Sequence, residues 1–152
     1  MIKNKIIPVI ILSIVVVVGG FILLQGVNAE TEMTVYKSAT CGCCNKWIQH
    51  MEDNGFNIKA IDVRDMDLVK QQYGIHRELA SCHTAVVDGY VVEGHVPADD
   101  VKRLLNEKPE VLGLSVPGMP VGSPGMEMGD RVDEYAVIAI DKNGEAQIFN
   151  QY

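Results

Sequence analysis

Apolar and polar positions along the chain predict a mixed α/β fold. Thr34 to Ser38, entered through Met33 and carrying Val35 and Tyr36, reads as a first strand. Trp47, Ile48 and Met51 recur at helical spacing, with Thr40 placed to cap the helix and Gly55 to end it. Phe56, Ile58 and Ala60 alternate with polar residues and lead into Ile61 and Val63, a second strand. Asp65 or Asp67 can cap a short helix over Leu68, Val69 and Tyr73, stopping at Gly74; Ile75 to Ser81 reads as a loop. Thr84 to Val87 and Tyr90 to Val92 flank Asp88-Gly89, a strong hairpin signal. Pro97 then opens a helix over Val101, Leu104 and Leu105 that closes before Pro109.

The stretch 109–133 breaks this rhythm. Pro117-Gly118-Met119-Pro120 and Gly122 to Gly129 leave no periodicity, and a loop of this length in a compact domain is functional or disordered. Residues 134–150 return to strand patterns, Tyr135 to Ile140 and Gln147 to Phe149, around a turn at Asp141 to Gly144. Asp141, Asn143 and Glu145 do not complete an EF-hand loop. The order β-α-β-α-β-β-α predicts a thioredoxin-like α/β domain, here with a C-terminal Gly/Pro/Met loop and an added β-hairpin.

The N-terminus changes the picture of location. Lys3 and Lys5 precede an apolar run, Ile6 to Leu24, that is polar only at Ser13, and Val27-Asn28-Ala29 has the small residues of a cleavage site. Residues 1–29 are expected to be a signal peptide, with a retained inner-membrane anchor as the alternative, since the run is long enough to span a bilayer. Either way residues 30–152 lie outside the cytoplasm, in the periplasm or its equivalent. Without Lys3 and Lys5 the exported part keeps 11 Lys and Arg against 20 Asp and Glu, a net charge of −9. That charge argues against nucleic acid as a partner.

Four cysteines in an exported chain ordinarily form two disulfides. Cys41, Cys43 and Cys44 are too close together for that to be comfortable. They sit at a strand-to-helix junction, where free backbone N–H groups and the helix dipole favour thiolates, the form that attacks disulfides and binds metals. Cys41 and Cys44 alone spell C-x-x-C, a redox spacing; the third thiol favours a metal site. Cys82-His83 directly precedes the third strand, which in a thioredoxin-like fold faces the C-x-x-C, and His83 falls where such folds carry a cis-proline. A fourth thiol and an imidazole are therefore expected to converge on the first three. For a lone pair of such residues, a small buried Cys and a loop His would be the ordinary expectation. Zinc gathers four ligands at one centre, and three thiols in four residues are expected to diverge, so bridging thiolates in a cluster are favoured. Soft thiolate and thioether ligands select Cu(I) over zinc. Met119, Met126 and Met128 extend that set if the loop folds over the site; otherwise they fill gaps or form a flexible cover. His95 follows the fourth strand near the same edge as a further candidate, with a solvated or satisfied histidine as its ordinary reading; His50 and His76 are expected at the surface.

Cys41-Gly-Cys-Cys, Ser81-Cys82-His83-Thr84, Val92 to Pro97 and the Pro117 to Met126 segment together resemble the CopG-like copper-resistance family, over roughly Met33 to Phe149. The resemblance implies a periplasmic, thioredoxin-like protein that binds copper through Cys41, Cys43, Cys44 and Cys82, with His83, and takes part in copper redox handling. It implies copper ions as partners, together with periplasmic copper-handling proteins or a thiol or electron donor. Two other functions compete with it: a thiol-disulfide oxidoreductase using Cys41 and Cys44, and an exported domain whose cysteines only staple it.

Overall fold

Alternation along β1 (Thr31–Lys37) buries Met33, Val35 and Lys37 on one face. The computed structural model describes residues 31–152; the expected export segment, residues 1–29, lies outside the described residues. Among the described residues, three helices, α1 (Gly42–Asp53), α2 (Met66–Gln72) and α3 (Ala98–Glu107), accompany seven strands. The remaining strands are β2 (Phe56–Asp62), β3 (His83–Val87), β4 (Tyr90–Gly94), β5 (Gly113–Val116), β6 (Ala136–Ile140) and β7 (Ala146–Gln151). They form one sheet in the order β2-β1-β3-β4-β5-β6-β7. Pairings β1–β2 and β4–β5 are parallel; the others are antiparallel. No helix among the described residues is long and apolar enough to cross a membrane.

The main core lies on one face, where Trp47 and Met51 of α1 and Val101 and Leu104 of α3 pack on Met33, Val35, Ala85, Val92 and Leu114. A smaller cluster of Ile75, Val91 and Ile140 lies on the other face, beneath α2 and the turn Arg77–Leu79. Val91 and Val92 go to opposite clusters, as the two-residue period of a strand requires.

Several expectations need correction. The first strand begins at Thr31 and ends at Lys37, and Ile75 to Ser81 contains a short 3₁₀ turn. Asp65 caps α2, its Oδ1 accepting from the N–H groups of Asp67 and Leu68 at 3.0 and 3.2 Å. Leu68 faces outward on this helix and Lys70 is buried, because Lys70 has a carboxylate partner inside the fold. The stretch 109–133 contains β5. Gly113 and Ser115 concealed it: a Cβ at Gly113 would collide with the Val91 backbone, and Ser115 Oγ donates to Leu79 O at 2.6 Å. His50 is half-buried, its Nε2 accepting from Ala98 N at 3.1 Å and so capping α3, which starts after Pro97 with no side-chain cap of its own.

Sheet direction decides what meets at one edge. Lys37, the last residue of β1, pairs with His83, the first of β3, and Thr84 pairs with Glu93 near the end of β4. Parallel β5 ends beside Gly94. The Cys41 segment, Cys82-His83, His95 and the Pro117 loop therefore all leave the sheet at the same end.

Candidate metal centre

Cys41, not Thr40, caps α1: it is extended (φ −74°, ψ 96°) and its Sγ accepts from Cys44 N at 3.3 Å. That bend turns the sulfurs of the first helical turn toward Cys41. Cys41 and Cys44 are joined by a disulfide, with Cα atoms 5.4 Å apart. Cys43 and Cys82 are free. Cys43 Sγ lies 3.5 Å from Cys41 Sγ and 3.9 Å from Cys82 Sγ, and Cys44 Sγ lies 3.5 Å from Cys82 Sγ. All four sulfurs fall within 4.8 Å of one another. The expected divergence of the closely spaced thiols is thereby corrected, since the helix start gathers them.

Cys82 is also the meeting point with two imidazoles. Its Sγ lies 3.3 Å from His83 Nδ1 and 3.1 Å from His95 Nε2. Both histidines are fully buried. Of the readings open for His95, the structure bears out a place at the same edge and a satisfied ring, and it excludes a solvated one: the turn after β4 points it inward. Its Nδ1 donates to Pro124 O at 2.7 Å, which leaves the Nε2 lone pair facing the thiol. The His83 ring packs on Trp47 at 4.4 Å and meets His95 edge-on at 5.2 Å. His83 Nε2 is buried with no hydrogen-bond partner, an orphaned atom that a native fold ordinarily satisfies.

Burial sets the protonation. It pushes the Cys82 thiol up to about 12, with the neighbouring Cys43 adding to the effect. It lowers His83 well below the ordinary histidine range, helped by nearby His95 and Lys70. His95 is lowered too, again by burial, with the Pro124 carbonyl opposing. The two rings are thus neutral donors, and a metal must displace the proton of Cys82.

The Gly/Pro/Met loop reaches this centre through its backbone. Besides the Pro124 carbonyl, Gly125 (φ +85°) lies so close to α1 that a Cβ there would fall 2.8 Å from Trp47 N and 2.9 Å from Cys43 O. Met119 is 52% exposed, Met128 is exposed, and Met126 is half-buried. The part played by Pro124 and Gly125 was signalled in the sequence only by a Pro-Gly pair in a loop of fixed path. All peptide bonds among the described residues, including that before His83, are trans.

A family model described as a protein of unknown function, DUF411, matches residues 79–126. No curated protein matches the chain. Two solved structures, titled copper resistance protein copG, forms 2 and 1, are each 47% identical. They cover 80% and 81% of this chain and 98% of their own, with TM-scores of 0.78 and 0.77. The chain belongs to the CopG copper-resistance protein family. The seven-stranded sheet and three helices match the solved copper resistance protein structure, and the cluster of Cys41, Cys43, Cys44 and Cys82 in this chain fits copper binding.

Proposed function

We propose that this is an exported copper-resistance protein that holds Cu(I) in a thiolate-bridged site built from Cys41, Cys43, Cys44 and Cys82, with His83 and His95 as nitrogen donors. One observation carries this reading: six soft or borderline donors converge, four sulfurs in one group and Cys82, His83 and His95 in a second, sharing Cys82. A single tetrahedral ion uses four donors. Six donors with a common thiolate suit more than one ion, and soft thiolates favour Cu(I). The order β2-β1-β3-β4, with the cysteine helix after β1, supports the thioredoxin-like assignment. A disulfide suits a compartment outside the cytoplasm, reached through residues 1–29.

The Cys41–Cys44 disulfide ties up two of the four sulfurs, so loading needs its two-electron, two-proton reduction to thiols by a thiol or electron donor. The same bond favours a second reading, a thiol-disulfide oxidoreductase, because Cys82 Sγ lies 3.5 Å from Cys44 Sγ and can act as an internal exchange partner. Anaerobic titration of the reduced protein with Cu(I), followed by elemental analysis, separates them. The copper reading expects more than one tightly held copper per chain and thiolate-to-copper absorption. Failure to hold copper, together with steady turnover of a model disulfide, would establish the second.

A further inference from the structure

A buried ion pair stands behind the site. Glu93 is fully buried on β4, and Lys70 of α2 is nearly so. Lys70 Nζ donates to Glu93 Oε1 at 2.5 Å and to Thr84 Oγ1 at 3.2 Å. Glu93 Oε1 also accepts from Ser81 N at 2.6 Å, and Glu93 Oε2 accepts from Thr84 Oγ1 at 2.6 Å. Burying a charged pair is costly, and apolar residues of similar volume often serve stability equally well. The arrangement of these bonds is more informative than the pairing itself. Ser81 and Thr84 bracket Cys82-His83, so one carboxylate grips both ends of that dipeptide. Along the chain, Glu93 is two residues from His95, which lies just past the end of β4.

We propose that Glu93, set by Lys70 and Thr84, is a positioning residue that holds Cys82, His83 and His95 in one geometry for the metal. It rests on the copper reading above for its ligand and not for its geometry. A carboxylate is suited to the task because each oxygen can accept more than one donor. Here it takes a backbone N–H and a hydroxyl from the stretch 81–84 and an ammonium from α2. Lys70 supplies the opposite charge from α2, and its second bond orients the Thr84 hydroxyl toward Glu93 Oε2. Glu93 and the metal-facing groups lie on opposite sides of the β3–β4 pair: Val91 and Glu93 face α2, whereas His83 packs on Trp47 of α1. Glu93 thus acts on the site through the backbone and does not itself serve as a ligand.

Three variants test this. Lys70→Met/Glu93→Leu replaces the pair with apolar residues and leaves no lone buried charge. Thr84→Val removes one link with little change of shape, and Thr84→Ser restores the hydroxyl. Two readouts are taken on each folded protein: Cu(I) affinity by chelator competition, and the alkylation rate of Cys82 in the reduced, metal-free protein. We expect the double variant to lose about 10- to 100-fold in affinity, to alter the thiolate–copper spectrum and to alkylate faster at Cys82. Thr84→Val is expected to move the same way by less, and Thr84→Ser to match the wild type. Wild-type affinity, spectrum and alkylation rate in a folded double variant would overturn the proposal. If the double variant does not fold, Thr84→Val decides on the same criteria. If the wild type binds no copper, the copper reading fails on its own, and Cys82 alkylation still decides the positioning role.

Discussion

Cys43 separates the two functions at the level of one atom. Its sulfur sits 3.5 Å from Cys41 Sγ and 3.9 Å from Cys82 Sγ, between the C-x-x-C pair and the fourth thiol. A disulfide enzyme needs only Cys41 and Cys44, so Cys43→Ser should leave exchange intact. A bridged copper site should lose metal or change stoichiometry, which elemental analysis of the loaded variant measures. The cysteines and His83 were legible in the sequence because their spacing and place before a strand were informative. His95 was legible only as a further candidate near the same edge, since a lone histidine after a strand is ordinarily solvated or satisfied. Its burial depends on the Pro124 carbonyl, 29 positions away, which no local pattern reveals.

At the scale of elements, the loop and the α1–α3 contact make separate predictions. Gly125 has φ +85° and backbone against backbone at Cys43 and Trp47. Gly125→Ala should cost about 1–3 kcal/mol and expose residues 117–131 to protease, read by thermal melting and limited digestion. Met119 and Met126 enter as a contrast. If their thioethers are ligands, changing both to Leu lowers copper affinity; if they only cover the site, it does not. The half-exposed Met119 and the backbone docking of this loop favour cover. His50 links α1 to α3 by accepting from Ala98 N, which requires a neutral ring. Burial lowers its pKa below the ordinary value, with Glu127 opposing. A depressed histidine contributes stability that is present above the unfolded value, about 6.5. That contribution is lost as pH falls through the lower folded value. The melting temperature of the metal-free protein should therefore fall between about pH 7.5 and pH 5, and less steeply in His50→Gln. An equal slope in both would remove His50 from the account. The helices and the Asp88-Gly89 hairpin were legible because period and turn chemistry agreed there. β5 was not, because Gly113 and Ser115 answer to a close backbone approach and a hydrogen bond instead of strand propensity.

For the whole molecule, strand order does the assembling. With β1 between β2 and β3, and β4 beside β3, four chain segments distant in sequence leave the sheet at one end. The β-α-β-α-β-β-α order was readable over residues 31–107, and it foretold the meeting of the Cys41 turn with Cys82. The added strands β5 to β7 extend the same sheet and launch the loop that closes on His95. On the proposed function, these segments gather six donors around shared thiolates to hold more than one copper ion. X-ray absorption at the copper edge of the reduced, anaerobically loaded protein tests it most directly. The expected result is Cu(I), nearest neighbours dominated by sulfur with a minor nitrogen contribution, and a short copper–copper vector lost in Cys82→Ser. A first shell of oxygen and nitrogen alone, or isolated copper with no copper–copper vector, would contradict it.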